Sequence, residues 1–255
     1  MELRLDGKVA LVTGGSRGIG KEIARYFADA GAQVMISSRK AEGCEAAADE
    51  LGNGVTWRAG NSGDAEAAEA IIDATIAEHG GLDILVNNAA TNPYAGAMID
   101  IDIPRWEKTL QVNLTAPLIW TQLAWNKVWK AGAADQGASV INLASVAAFG
   151  TNPSISAYGM SKAALIFQTE QLSVELAPKV RVNAIAPGLI KTDFARALWD
   201  EGRGAEVAKA YPLKRLGETS DIAEAAMYLA AAGTWMTGEV LTLDGGGRRS
   251  YPLLA

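Results

Sequence analysis

Tyr158 and Lys162 are the two residues of this sequence whose types and spacing are best suited to chemistry. Positions i and i+4 of a helix face the same way, so this phenol and this ammonium share one pocket. An ammonium beside a phenol favours the phenolate and lowers its pKa from about 10. A tyrosine tuned in that way works as acid and base near neutral pH. Two polar residues stand upstream. Ser145 follows an apolar run, thirteen residues before Tyr158, and Asn113 lies inside a long helical pattern, in Val112-Asn113-Leu114. Polar residues just past the carboxyl end of a strand lie at the crevice where open α/β sheets bind ligands. Each has a plainer reading when taken singly. Asn113 would satisfy backbone groups in a bent helix, Ser145 would cap a strand end, and Tyr-x-x-x-Lys arises by chance in a chain of this size.

A second constellation, Thr13-Gly14-Gly15-Ser16-Arg17-Gly18-Ile19-Gly20, is suited to phosphate. Glycines allow positive φ and let the backbone approach a ligand closely. A helix starting there turns free N–H groups and the positive end of its dipole toward a pyrophosphate. Gly14, Gly18 and Gly20 give G-x-x-x-G-x-G, one residue looser at the first gap than the common dinucleotide motif. The plain alternative is a glycine-rich turn with no ligand.

These residues need elements to hold them, and the chain supplies an alternation of strand and helix patterns. Val9 to Val12 reads as a buried strand, followed by a helix with Ile23, Ala24, Phe27 and Ala28 on one face and Gly31 past its end. Gln33 to Ser37 is a second strand, with a helix running to Leu51, and Val55 to Ala59 is a third. Asp64 caps a helix to Glu78, and Asp83 to Val86 is a fourth strand. A long helix from about Arg105 to Ala131 follows, with Pro104 in its first turn. Then come a strand from Ser139 to Leu143, a helix from Ala157 to Leu176, and a strand from Val180 to Ile185. Asp221 to Ala232 is a helix capped by Ser220, and Glu239 to Leu243 a last strand. The segment 191–212 is either a mobile lid or an ordinary surface excursion. Such an order implies βαβ units and a parallel sheet covered on both faces. Right-handed crossovers then give a doubly wound, Rossmann-type α/β fold. No linker or composition break divides the chain, so 1–255 is one domain, with a tail from about 248 to 255 that is disordered or reaches a neighbouring subunit.

The totals exclude several functions. With 255 residues and 49% apolar residues the chain builds one continuous core. A net charge of −6 argues against nucleic acid as a partner. One cysteine, Cys44, allows no internal disulfide and reads as a packing residue. One histidine, His79, makes a metal site improbable. No apolar run reaches membrane-spanning length, and Met1 to Lys8 does not fit a secretory signal. A cytoplasmic protein is the expectation.

Taken together and in this order, the motifs resemble the short-chain dehydrogenase/reductase family. The matching pieces are Thr13-Gly14…Gly18-Ile19-Gly20, Asn87-Asn88-Ala89, Asn113, Ser145, Tyr158…Lys162 and Pro187-Gly188-Leu189-Ile190-Lys191-Thr192. The resemblance spans Leu5 to Gly246 and is nearest to the branch containing 3-oxoacyl-(acyl carrier protein) reductases. It implies a nicotinamide cofactor. Tyr158 would exchange a proton with the substrate oxygen, Ser145 would place that oxygen, and Lys162 would bind the nicotinamide ribose. Asn113 would hold a water in the proton relay. Gly14, Ser16, Arg17, Gly18, Ile19, Gly20, Asn88 and Ala89 would contact the cofactor, and Pro187, Gly188, Ile190 and Thr192 would flank its nicotinamide. Two positions depart from the family pattern. Ala90 stands where a glycine is common, and Asn61 stands where an aspartate meets the adenine; Asn61 is kept as a contact.

An acid after the second strand usually holds the ribose 2′-hydroxyl of NAD. Here Ser37-Ser38-Arg39-Lys40 has none. Arg39 is suited to stack on adenine and fork onto a 2′-phosphate, with Arg17 as a second cation and Ser38 as a hydroxyl. NADP(H) is therefore preferred, with NAD(H) as the alternative. Tyr94, Phe149, Phe194, Leu198 and Trp199 are expected to border an apolar substrate pocket. The favoured substrate is a ketone, with a 3-oxoacyl thioester as one form; the alternatives are oxidation of a sterol, sugar or polyol, and a non-catalytic nucleotide sensor on the same fold. Trp125 and Trp129, with Leu118 and Gln122 on much the same face, either form an interface or bury within their own subunit; the family often forms homotetramers, so a tetramer, or at least a dimer, is expected.

Overall fold

The computed structural model describes residues 3–132, 137–200 and 202–249. Its centre is a sheet of seven parallel strands in the order β3-β2-β1-β4-β5-β6-β7. The strands are β1 (Val9–Thr13), β2 (Gln33–Ser38), β3 (Thr56–Ala59), β4 (Ile84–Asn87), β5 (Ala138–Leu143), β6 (Val180–Pro187) and β7 (Val240–Leu243). Side chains alternate between the two faces of a strand, and both faces here are apolar. In β1, Ala10 and Val12 join one core while Leu11 joins the other, and in β2 Val34 and Ile36 oppose Met35 in the same way. Strands buried on both sides must be covered by helices on both sides.

The first core packs under α1 (Gly18–Asp29), α2 (Ala41–Leu51) and α9 (Thr219–Ala231), and the second under α3 (Ala65–His79), α5 (Ala116–Ala124) and α6 (Ser156–Leu176). The chain builds outward from β1 to β3, returns to the other side of β1 with β4, and continues to β7. The order therefore reverses between β1 and β4, and ligands bind outside the carboxyl ends of strands at such a point.

Several local expectations are met. Asp64 accepts from the backbone N–H groups of Glu66 and Ala67 at 3.0 and 3.2 Å, and Cys44 is fully buried. Others are corrected. The helix before β7 begins at Thr219, and its cap is Glu218, not Ser220: the Glu218 side chain accepts from a first-turn N–H while the Asp221 carboxylate accepts from Glu218 N at 2.8 Å. The long helix starts as α4 (Ile103–Leu110), with Asp102 as its cap, and passes into α5 through a π turn at Gln111–Thr115. A second π turn, Trp125–Trp129, ends it. Trp129 does not offer itself to a partner: it is 3% exposed, and its Nε1 donates to Leu82 O at 2.6 Å. Trp125 also packs against its own core. The segment 191–212 holds a 3₁₀ turn at Asp193–Ala195, α7 (Arg196–Trp199) and α8 (Arg203–Ala210). Of the expected tail, Arg248 and Arg249 belong to a 3₁₀ turn, Gly247–Arg249; 250–255 lie outside the described residues.

Candidate active site

The glycine loop links β1 to α1 at the carboxyl edge of the sheet. Gly14 and Gly18 have φ of +65° and +55°, a region that penalises any side chain. A Cβ on Gly14 would lie 2.8 Å from Asn88 Nδ2, and one on Gly18 would meet Thr192 Cγ2 at 3.4 Å. A Cβ on Gly20 would collide with the same Asn88 amide. The loop thus presents a cradle of bare backbone, with Asn88 too close at Gly14 and Gly20 for a side chain and Thr192 in contact at Gly18. The cap residue of α1, Arg17, makes no side-chain cap hydrogen bond, so its own side chain leaves the helix's first N–H groups free for a ligand. Ile19 is partly buried and packs against the core beneath, and Ser16 lies beside the start of α2, about 4.0 Å from the Cβ that Gly43 lacks. These features fit a dinucleotide pyrophosphate.

The cradle is fastened to β4 by a residue that sequence reasoning had not placed in the site. Thr13 is 2% exposed. Its Oγ1 donates to Val86 O at 3.2 Å and accepts from Asn88 N at 3.0 Å and Ala89 N at 3.1 Å. Asn88 returns the clamp through Nδ2, which donates to Thr13 O and Gly14 O at 2.9 and 3.1 Å. Asn88 and Ala89 are therefore at the cradle, and what Asn88 holds directly is the loop.

At the neighbouring strand end, β1 and β2 run in register, with Thr13 opposite Ser37. Arg17 and Arg39 thus leave adjacent strands at one edge. Both are exposed, and neither guanidinium has a hydrogen bond or ion pair among the described residues. Ser38 is half-buried. Asn61 follows β3, exposed, with its Oδ1 accepting from Gly63 N at 3.2 Å.

The reacting end lies past β5 and along α6. Ser145 caps a 3₁₀ turn, Val146–Phe149, and its Oγ accepts from Ala147 N at 3.2 Å. The Ser145 side chain also acts on the Tyr158 phenol, favouring its ionised form. Lys162, one helical turn on, is 2% exposed and donates from Nζ to Leu143 O at 2.6 Å, with Nζ 5.7 Å from the Tyr158 ring centre. Ser145, Tyr158 and Lys162 therefore meet. Their electrostatics differ from the sequence expectation. Burial pushes the Tyr158 phenol up to about 12, opposed by the Ser145 side chain. Burial likewise pushes Lys162 down to about 7. The ammonium is turned toward a carbonyl rather than the phenol oxygen, so desolvation wins over charge pairing.

Asn113 sits in the first π turn and is fully buried. Its Oδ1 accepts from Thr91 N at 2.8 Å, and its Nδ2 donates to Thr91 O at 2.9 Å and Ser161 Oγ at 3.0 Å. Ser161 in turn donates to Tyr158 O at 2.7 Å. Both amide hydrogens are thus taken by protein groups, and Asn113 braces the loop after β4 against the helix of Tyr158. Ser161 and Thr91 gave no signal in the sequence, because a serine inside a helix and a threonine in a loop have many ordinary uses.

The opposite wall follows β6. Pro187 ends the strand, and Gly188 N donates to Leu243 O at 2.9 Å. Ile190 is buried and bridged to Gly217, while Thr192 stands across from Gly18. Trp199 Nε1 donates to Thr192 O at 3.1 Å. Phe194 lies 6.1 Å from Tyr158, ring centre to ring centre. Phe149, Phe194 and Leu198 are 40, 53 and 56% exposed, so this end offers apolar surface. Tyr94 is occupied otherwise: its hydroxyl donates to Ala97 O at 3.0 Å, and Arg105 covers its ring. Among the described residues no group of His, Cys, Asp and Glu is arranged for a metal, and no helix is long and apolar enough to cross a membrane.

A parallel Rossmann-type sheet with a glycine cradle at its switch point and a serine–tyrosine pair beside a buried lysine is the layout of a short-chain oxidoreductase. Comparison with known proteins agrees. The family model described as enoyl-(acyl carrier protein) reductase matches residues 14–247. A human protein, dehydrogenase/reductase SDR family member 4, is 41% identical over 248 residues, spanning 95% of this chain and 88% of the human one. Its Caenorhabditis elegans namesake is 37% identical over 253 residues, 95% of this chain and 96% of that one. Among solved structures, a short-chain type dehydrogenase/reductase from Mycobacterium ulcerans superposes with a TM-score of 0.90 at 31% identity, over 97% of this chain and 92% of that one. A 7α-hydroxysteroid dehydrogenase, solved with NADH and 7-oxo glycochenodeoxycholic acid, gives 0.89 at 33% identity over 96% of each chain. The chain belongs to the short-chain dehydrogenase/reductase family.

Proposed function

We propose that this oxidoreductase interconverts a ketone and a secondary alcohol by hydride transfer with NADP(H), and that Tyr158 is its acid and base. The observation that carries the reading is buried Lys162 one helical turn from Tyr158, its Nζ 5.7 Å from the Tyr158 ring centre, with Ser145 acting on the phenol from the turn after β5. A nicotinamide dinucleotide supplies the hydride when bound. Gly14, Gly18, Gly20 and the open start of α1 would hold its pyrophosphate, and Pro187, Gly188, Ile190 and Thr192 would flank its reacting ring. In the reductive direction negative charge grows on the substrate oxygen, and donors aimed at that oxygen stabilise the transition state. Ser145 Oγ and Tyr158 Oη are those donors, and Tyr158 gives up its proton there. Any cation brought near Tyr158, including Lys162 turned from Leu143 O toward it, favours the resulting phenolate. Asn113 acts through Ser161, as a positioning residue.

NADP(H) over NAD(H) rests on Arg17 and Arg39, two guanidiniums without partners among the described residues, at a strand end that has no acid. The substrate is an apolar ketone, with a 3-oxoacyl thioester as one form, in keeping with the exposed Phe149, Phe194 and Leu198. A second reading, oxidation of a sterol alcohol with NAD(H), draws on the hydroxysteroid dehydrogenase and its bound NADH. We also propose a homotetramer, now supported by exposed Phe167 and Val174 on α6 and fully exposed Trp235 rather than by Trp129. Tyr158→Phe tests the chemistry, since it keeps the ring and removes the transferable proton. General acid–base catalysis is worth about 10²–10⁴ in rate, so turnover should fall by that much while dinucleotide affinity stays close to wild type. Near-normal turnover in that variant would remove Tyr158 from the mechanism.

A further inference from the structure

The turn after β7 carries a cation to the rim of the reacting end. Asp244 builds that turn: its Oδ1 accepts from Gly246 N at 2.9 Å and its Oδ2 from Arg248 N at 2.7 Å. The turn is packed against α8's exit, where a Cβ on Gly246 would lie 2.8 Å from Pro212 Cγ and one on Gly247 would lie 2.7 Å from the Tyr211 ring. Tyr211 is itself buried and accepts through its hydroxyl from Leu189 N at 3.3 Å, in the wall that faces the glycine loop. Arg248 is thus fixed by a rigid backbone.

Its side chain then reaches across to the other wall. The Arg248 guanidinium lies over the Phe149 ring, 4.2 Å from its centre. Phe149 closes the 3₁₀ turn that starts after Ser145. A 3₁₀ turn rises about 2 Å per residue, so Phe149 stands roughly 8 Å from the serine that places the substrate oxygen. The arginines Arg25, Arg58, Arg105, Arg196 and Arg215 all meet carboxylates. Arg248 meets an aromatic face, and among the described residues it has no carboxylate partner. Stacking uses the face of a guanidinium and leaves its N–H fork directed outward. The nearest acid in sequence, Asp244, is engaged with backbone N–H groups.

We propose that Arg248, held on Phe149, is an anion subsite at the rim of the substrate pocket, and that it selects ketones carrying a carboxylate several carbons from the reacting carbonyl. The apolar rings fit the carbon body of such a substrate, and the fork fits its charged end. This rests on the oxidoreductase reading above and gives it a substrate class.

The test compares a long-chain keto acid with its methyl ester, using wild type, Arg248→Glu and Arg249→Glu with the dinucleotide present. The expected result is that wild type prefers the keto acid. In Arg248→Glu the ratio of kcat/KM for acid over ester should fall about ten- to hundredfold, the scale of a charge-assisted hydrogen bond. Arg249→Glu should move the ratio far less. An unchanged ratio in Arg248→Glu, or an equal fall in Arg249→Glu, overturns the subsite, because a general change of charge would then explain the effect. Calorimetric binding of decanoate and methyl decanoate to the same three proteins separates this proposal from the function it rests on. If wild type reduces neither ketone yet binds decanoate through Arg248, the reductase reading fails and the subsite stands. If decanoate binds wild type and Arg248→Glu equally, the subsite fails whatever the activity.

Discussion

Replacing Thr13 by valine should be far more damaging than its conservative shape implies. Valine keeps the volume and branching of threonine and removes one hydroxyl. That hydroxyl serves three backbone groups, donating to Val86 O and accepting from Asn88 N and Ala89 N. Losing it leaves Ala89 N beneath the glycine loop without its partner, while Asn88 N and Val86 O keep the 3.1 Å bond between them but lose their shared hydroxyl. An unsatisfied buried donor costs about 1–3 kcal/mol, so Thr13→Val should lose about 2 kcal/mol of stability. Thr75→Val is the matched control. Thr75 is fully buried as well, but its Oγ1 donates only to Ile71 O, a carbonyl inside a helix, at 2.8 Å. Its loss should be about 1 kcal/mol. Urea unfolding of the three proteins, fitted with a common slope, measures both differences. Dinucleotide affinity should fall in Thr13→Val and hold in Thr75→Val, since only the first loosens the cradle. Equal losses of stability in the two variants would show that the Thr13 clamp carries no special share of the fold.

Lys162 makes stability depend on pH. Its pKa is near 7 in the folded chain and about 10.4 unfolded, so the unfolded chain binds the extra proton between those values. Stability contributed at this site therefore rises as pH increases from about 7 to 10. Unfolding of wild type and Lys162→Met at pH 7 and pH 10 should show wild type gaining on the order of 3 kcal/mol over the variant; a constant difference would mean that the ammonium is not desolvated. Arg39→Asp should weaken NADPH about tenfold or more and turn the preference toward NADH, and a wild type that already uses NADH better would refute the cofactor assignment. Light scattering at micromolar concentration should give the mass of a tetramer, and Phe167→Glu should lower it; a monomeric wild type would refute the assembly.

The sequence made the glycine loop legible because the requirement is local: strand, positive-φ glycines and helix lie within a dozen residues. The Tyr158–Lys162 pair was legible for the same reason. Thr13 belonged to the same motif, yet its partners in the Asn88 loop lie 75 and 76 residues away, and no local rule assigns a hydroxyl to them. The π turns at Gln111–Thr115 and Trp125–Trp129 leave the apolar pattern of the helix readable while shifting its faces, which is why Trp129 pointed to the wrong side. Ser220 is a good capping residue by type, but Glu218 and Asp221 satisfy each other's N–H groups, and Arg215 fixes Asp221 with two hydrogen bonds of 2.6 and 2.7 Å. The direction of Lys162 followed from a carbonyl on another strand, beyond the reach of helical spacing.

Thr192 faces Gly18 across the cradle on one side and holds Trp199 of α7 through its carbonyl on the other. One residue thus forms part of both the dinucleotide wall and the segment that carries Phe194 and Leu198. The two ligands should therefore be coupled, each changing the other's affinity by the same factor. Dinucleotide affinity measured with and without a bound substrate analogue would show that coupling, and alanine in place of Trp199 should weaken it.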